Sequence, residues 1–218
     1  MGLYEKLNSM NIFFDLDGTL IDSRSRLYEL FQHLIPQSKF TFDEYWTLKR
    51  NKITHEMILK KYFHFQISDL QLFEKKWMQL IETDEWIRRD QPFEGVTYFL
   101  MKLKQNNFSL YLTTARQHKI TAIRQLESFG WKDIFNHVLV TEQKTEKINL
   151  IKPFISADIH DWMIGDTGND IVTGKLLGLR TVAVLSGFQS EEILTAYQPD
   201  LIIHNVTDLW PHINLSSI

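Results

Sequence analysis

Two periodicities divide the chain. Between Ser23 and Arg89 apolar residues recur at three- and four-residue spacings, as on one-sided helices; outside that stretch they come in short runs, as in buried strands. Leu27, Leu30, Phe31 and Leu34 form the first helical stripe, which Pro36 stops. Thr41, with Glu44 three residues on, reads as a cap opening a second helix. Ile53-Thr54 leads into a third, with Met57, Ile58 and Tyr62 facing one way. Ser68 is expected to cap a fourth, running to about Arg88 through Leu72, Phe73, Trp77, Leu80 and Ile81. The result is an all-helical insert over residues 23–91, long enough for a small core though marginal alone.

Around the insert the pattern is of alternating strands and helices. Ile12 to Phe14 reads as a short buried strand. Asp90-Gln91-Pro92-Phe93-Glu94-Gly95 ends the helical stretch and reads as a loop and hinge, matched by a second linker near Leu20–Arg24. There follow a helix Val96–Gln105, a strand Phe108–Thr113, a helix Gln117–Phe129 closed by Gly130, and a strand His137–Thr141. A short helix Lys147–Phe154, a strand Trp162–Ile164, a helix Asp170–Leu177 and strands Thr181–Leu185 and Leu201–Ile203 complete the series. This order predicts an α/β fold, a Rossmann-like parallel sheet covered on both faces. Residues 1–22 and 92–218 then form the α/β core domain, and 23–91 the helical one.

Composition narrows the class. The chain has 218 residues, 44% hydrophobic and 23% charged, as in an ordinary globular protein. Its net charge of -3 is dispersed without a basic run, so nucleic acid is not expected as a partner. It has no cysteine, which excludes disulfides and a thiolate metal site and agrees with a reducing cytosol. Met1–Ser9 is polar and resembles no signal peptide, and no apolar run reaches membrane-spanning length. The cytoplasm is the expected location. The eight histidines show no metal-ligand spacing.

Unusual polar residues stand at four strand ends. The first strand ends in Asp15 and Asp17, then Gly18; the next in Thr113 and Thr114, followed by Arg116. Lys144 and Lys147 follow the third, and Gly165-Asp166-Thr167-Gly168-Asn169-Asp170 ends the fourth. In a parallel sheet these ends share one edge, where ligands bind in open α/β folds. Carboxylates gathered there repel one another unless a cation joins them, and an all-oxygen ligand set favours Mg²⁺. The hydroxyls and the ammonium suit phosphate oxygens.

At this point the sequence resembles the haloacid dehalogenase-like superfamily, in its phosphoglycolate phosphatase-like branch with a helical cap. Asp15-Leu16-Asp17-Gly18-Thr19-Leu20 matches the first family motif, Thr113 closes the second, a lysine at 144 or 147 supplies the third, and Gly165-Asp166 through Asp170 matches the fourth. The resemblance implies a Mg²⁺-dependent phosphatase acting on a small phosphorylated metabolite, as a monomer or homodimer. By it Asp15 is the nucleophile that becomes an aspartyl-phosphate, and Asp17 is the general acid. It implies a metal held by the Asp15 carboxylate, the Asp17 backbone carbonyl, Asp166 and Asp170. Gly18 supports the turn that brings both acids to one phosphorus, because glycine tolerates positive φ. Lys147 stands directly before the apolar pattern of Ile148, Leu150 and Ile151, which favours it over Lys144. The second motif has Thr113-Thr114 where a Thr-Asn pair is common, so Thr114 takes the second position in leaving-group recognition. Arg116 either contacts an anionic substrate or lies on an exposed loop.

Tyr45 and Trp46 read as packing in the insert, with a place on its substrate side as the sharper alternative. Lys49-Arg50 reads as a solvated face. Ser186-Gly187 has no triad partners, and Gly165–Gly168 does not have Rossmann glycine spacing. A phosphomutase of the same architecture and a non-catalytic phosphometabolite-binding protein are the alternatives to a phosphatase.

Overall fold

A computed structural model describes residues 10–155 and 161–214. Met1–Ser9, read above as no signal peptide, and both ends of the α/β part lie outside the described residues. Strand β1 (Asn11–Phe14) is buried along its whole length. Next come β2 (Ile21–Asp22) and helices α1 (Arg24–Leu34), α2 (Phe42–Arg50), α3 (His55–Phe63), α4 (Ile67–Leu80) and α5 (Asp84–Ile87). Strand β3 (Gln91–Pro92) leads to α6 (Val96–Gln105), β4 (Ser109–Thr114), α7 (Lys119–Ser128), β5 (His137–Val140) and α8 (Lys147–Ile151). The chain closes with β6 (Trp162–Gly165), α9 (Gly168–Leu176), β7 (Arg180–Val184), α10 (Glu191–Ala196), β8 (Leu201–Ile203) and α11 (Trp210–Asn214).

Six strands form one parallel sheet in the order β5-β4-β1-β6-β7-β8. The order reverses at β1, so helices leave β1 and its neighbours toward opposite faces and a crevice opens beyond their carboxyl ends. Successive residues of a strand face opposite sides, which is why β1 is apolar throughout. Ile12 and Phe14 pack with Phe99, Leu100 and Leu112 on one face; Phe13 packs with Tyr111, Ile151 and Met163 on the other.

The insert, α1 to α5, has its own apolar centre of Phe31, Tyr45, Trp46, Ile58, Leu59 and Phe73. Thr41 caps α2 as expected: its hydroxyl accepts the Glu44 N–H at 3.3 Å and Glu44 accepts the Thr41 N–H at 2.8 Å. The fourth helix differs from expectation at both ends. Gln66 rather than Ser68 precedes it, because the Asp69 carboxylate accepts the Gln66 N–H at 3.0 Å. It stops at Leu80, where the Thr83 hydroxyl donates to the Leu80 carbonyl at 3.0 Å and a separate α5 begins. The two linkers expected to be loops pair as an antiparallel ribbon, Ile21 opposite Pro92 and Asp22 opposite Gln91. Helix α7 starts at Lys119 rather than Gln117, since the N–H groups of Gln117 and His118 donate to Glu82 instead. Helix α9 starts earlier than expected, at Gly168, because Thr167 and Asp170 form its cap. Past Ile151 the predicted helix tightens into a 3₁₀ turn at Lys152–Phe154, which contains Pro153. Among the described residues no helix is long and apolar enough to cross a membrane.

Candidate active site

The carboxyl ends of β1, β4 and β6 and the start of α8 meet in a cleft of about 290 Å³ beneath the insert. Asp15 follows β1 directly and is 7% exposed. The chain turns immediately after it: Gly18 has φ of +87°, and its N–H donates to the Ile21 carbonyl at 2.8 Å. A Cβ at Gly18, or at Gly187, would collide with the Asp166 carboxylate. Both glycines are therefore required by close approach, and Gly18 by turn geometry as well.

Asp166 follows β6, and Asp170 sits in the first turn of α9. One oxygen each of Asp15, Asp166 and Asp170 lies within 4.8 Å of the other two. Lys147 is the cation of this cluster. Its Nζ donates to Asp15 Oδ1 at 2.5 Å and to Asp170 Oδ1 at 2.6 Å. It is 6% exposed, whereas Lys144 is 77% exposed at its side chain and pairs with Glu142 at 3.8 Å. Of the two expected lysines, only Lys147 reaches the acids. Asp166 Oδ2 accepts the Phe188 N–H at 2.5 Å.

Three buried carboxylates and one ammonium leave the cluster short of positive charge. Burial pushes the Asp15 carboxyl up to about 7, with Lys147 pulling it down and the charge of Asp170 adding to the rise. Burial, then the charges of Asp15 and Asp170, push Asp166 well above the usual carboxylate range. Burial alone would drive Lys147 toward neutrality, but Asp15 and Asp170 outweigh it and hold the ammonium charged. Oxygen ligands with a deficit of positive charge fit a hard divalent cation, so these residues suit Mg²⁺.

The side chain of Asp17 faces elsewhere. Its Oδ1 accepts from Arg26 Nη2 at 2.5 Å and Arg116 Nη2 at 2.8 Å, and its Oδ2 from Arg116 Nε at 2.8 Å. Burial opposes its ionisation, but the charges of Arg116 and Arg26 prevail and hold it far below the usual range. Arg26 also donates to Asp90 at 2.9 Å and to the Ile81 carbonyl at 3.0 Å. Arg116 donates to Asp90 at 3.1 Å and to Gln125 at 2.5 Å. The expectation of an exposed loop for Arg116 is thus corrected: it is 4% exposed, and Asp17, Asp90 and Gln125 hold it. Thr113, fully buried, donates to the Phe14 carbonyl at 3.3 Å, while Thr114 lines the cleft.

The insert rests on both rims. Glu82 accepts the N–H groups of Gln117 at 2.8 Å and His118 at 3.1 Å, and Gln117 Nε2 donates to the Met78 carbonyl at 3.1 Å. Opposite, the Arg50 carbonyl accepts the Ser190 N–H at 3.2 Å, and the Lys52 ammonium donates to the Tyr197 hydroxyl at 2.6 Å. Lys49-Arg50 is therefore not a solvated face: Arg50 docks on the α/β part, and burial brings Lys49 down to about 8. Tyr45 is interior, its hydroxyl 2.8 Å from His55 Nε2, and Trp46 packs 5.2 Å from the Phe188 ring. Sequence reasoning missed Arg26, Glu82, Asp90 and Phe188. The one available signal was the place of an arginine and an aspartate beside the two linkers.

The parallel sheet, the acid pair after its first strand and the helical insert define a hydrolase of known architecture. The chain belongs to the haloacid dehalogenase-like hydrolase family, whose model matches residues 12–184. It is 26% identical over 210 residues to pyrophosphatase PpaX of Bacillus pumilus, covering 91% of this chain and 93% of that one. It is 25% identical over 205 residues to pyrophosphatase PpaX of Oceanobacillus iheyensis, covering 91% and 94%. Among solved structures, a candidate phosphatase from Clostridium difficile has a TM-score of 0.78 at 22% identity, covering 95% of this chain and 99% of its own. A haloacid dehalogenase-like family hydrolase from Streptococcus pneumoniae has a TM-score of 0.72 at 21% identity, covering 94% and 98%.

Proposed function

We propose that the protein is a Mg²⁺-dependent phosphatase that hydrolyses a small phosphomonoester through an aspartyl-phosphate on Asp15. The observation that carries this reading is the bond from Lys147 to both Asp15 and Asp170 inside a buried cluster of three carboxylates. An ammonium there steadies the Asp15 carboxylate for in-line attack and later faces the transferred phosphoryl oxygens. The metal would be held by the carboxylates of Asp15 and Asp166 and the Asp17 carbonyl, with Asp170 direct or through water. When bound it supplies charge neutralisation and orientation of the phosphoryl group.

In the first step an Asp15 oxygen attacks phosphorus, the bond to the leaving oxygen breaks, and the Asp17 carboxyl gives that oxygen its proton. In the second step water attacks phosphorus, its proton passes to Asp17, and the bond to Asp15 breaks to release phosphate. Thr113 and Thr114 are assigned to phosphate and leaving-group contacts. Both Asp17 oxygens here accept guanidinium N–H groups, so proton delivery requires Asp17 to leave Arg116 as well as Arg26. Arg26 lies on the first helix of the insert, which supports a cap that swings at the β2–β3 ribbon. The cytoplasmic location rests on the cysteine-free composition.

The test is hydrolysis of p-nitrophenyl phosphate with and without Mg²⁺. Activity should require the metal and vanish in Asp15→Asn; activity that survives either change rejects the proposal. The names of the Bacillus and Oceanobacillus relatives favour a second reading, hydrolysis of pyrophosphate.

A further inference from the structure

We infer that the substrate's leaving group is uncharged and presents an apolar face, and that Trp77 and Phe188 select it. The inference rests on the phosphatase reading and concerns which ester that site takes. The cleft has two unlike halves. Its floor is the ionic cluster; the wall facing it from the insert and the loop after β7 is Leu27, Trp77, Ile81 and Phe188. A leaving group directed away from Asp15 meets these four side chains.

The charges decide what that group can be. Among the described residues lining the cleft, the cations are Arg26, Arg116 and Lys147. Arg26 is bound to Asp17 and Asp90, and Arg116 to the same two carboxylates. Lys147 is bound to Asp15 and Asp170. The one further charged group in the outer wall is Glu82, an anion directed at the Gln117 and His118 amides. A second anionic group on the substrate would enter an apolar chamber with no unclaimed cation and a carboxylate in its wall. An unpaired charge in such a place is costly, and that cost is the discrimination. With Asp17 turned to the leaving oxygen, both guanidiniums stay bound to Asp90, which pyrophosphate or an ester of a hydroxy acid would have to displace.

The apolar wall is braced. The Trp77 ring lies 4.2 Å from the His55 ring, and the Phe188 ring 5.2 Å from Trp46. The Phe188 backbone N–H is tied to Asp166, which anchors that residue's main chain to the acid cluster. Two held aromatic rings offer a flat leaving group contact at little entropic cost. The volume of about 290 Å³ admits a phosphoryl group and one ring or a short chain.

The test compares kcat/KM of the full chain with Mg²⁺ for benzyl phosphate, methyl phosphate, pyrophosphate and phosphoglycolate. Benzyl phosphate should exceed each of the two substrates with charged leaving groups by about tenfold or more. Phe188→Ala should narrow the benzyl-to-methyl ratio by about fivefold or more, chiefly through KM. Trp77→Phe, a milder change within the insert's core, gives the same readout if the first variant does not fold. Pyrophosphate or phosphoglycolate hydrolysed as well as benzyl phosphate, or a ratio unmoved by both variants, overturns the inference and leaves the phosphatase reading standing. Failure to hydrolyse any of the four overturns both.

Discussion

Arg26→Met removes one of two guanidiniums from a buried square of two arginines and two aspartates. Arg26 donates to Asp17 at 2.5 Å, to Asp90 at 2.9 Å and to the Ile81 carbonyl at 3.0 Å, and its side chain is 4% exposed. Asp90 has no side-chain exposure at all. Without Arg26, two carboxylates share Arg116. Breaking a buried ion pair by deleting one partner costs about 3–5 kcal/mol. Asp90 has an escape, because burial already pushes its carboxyl up to about 6 against the pull of Arg26. In the variant it rises further and takes up a proton, which caps the loss near the lower figure.

A carboxyl whose folded pKa is raised binds a proton that the unfolded chain, with a pKa of 3.8, has released. Its contribution is complete below 3.8 and is lost as pH rises through the folded value. The raised value lies higher in the variant, so the variant falls further behind wild type on the alkaline side. Urea unfolding should give a loss of about 3 kcal/mol at pH 8 and roughly half that at pH 5.5. Adding Asp90→Asn should recover most of the loss at pH 8, since one aspartate then faces one arginine. A loss below about 1 kcal/mol at pH 8, or equal losses at the two pH values, would refute the reasoning.

Three further outcomes are expected. Lys147→Met should lower turnover of p-nitrophenyl phosphate by about 10²–10³-fold, while Lys144→Met, at the exposed alternative, should not alter it. Burial, with the charge of Lys49, holds His55 well below 6.5, so the stability it confers is present above 6.5 and lost as pH falls beneath it. His55→Gln should therefore flatten the acid-side decline in urea midpoint relative to wild type. Gly18→Ala places a side chain at φ of +87° and against Asp166, which should cost about 1–3 kcal/mol and weaken Mg²⁺ binding, read by titrating tryptophan fluorescence.

Legibility in the sequence followed the range of the forces. Local signals were readable: the apolar run of β1, the Thr41–Glu44 cap, the helix-stopping proline, and acids that had no reason to end a strand. The topology then brought Asp15, Asp166 and Asp170 to one edge without further information. Helix periodicity inclined toward Lys147 over Lys144, and only distance shows that Lys147 reaches the acids. Arg26 and Arg116 were misjudged or missed because their partner Asp90 lies 64 and 26 residues away, a pairing no local pattern encodes. The ribbon of Ile21–Asp22 with Gln91–Pro92 escaped for the same reason, and because two-residue strands carry no periodicity. Nothing local sets Glu82 apart, because the amides its carboxylate takes lie 35 and 36 residues on.

The central claim is that Asp15 carries the phosphoryl group. Acid quench of the enzyme in rapid turnover, followed by borohydride trapping and peptide mass spectrometry, reads this directly. The account predicts conversion of Asp15 to homoserine, dependent on substrate and absent in Asp15→Asn. Turnover without trapping at Asp15, or with trapping at another residue, would contradict it.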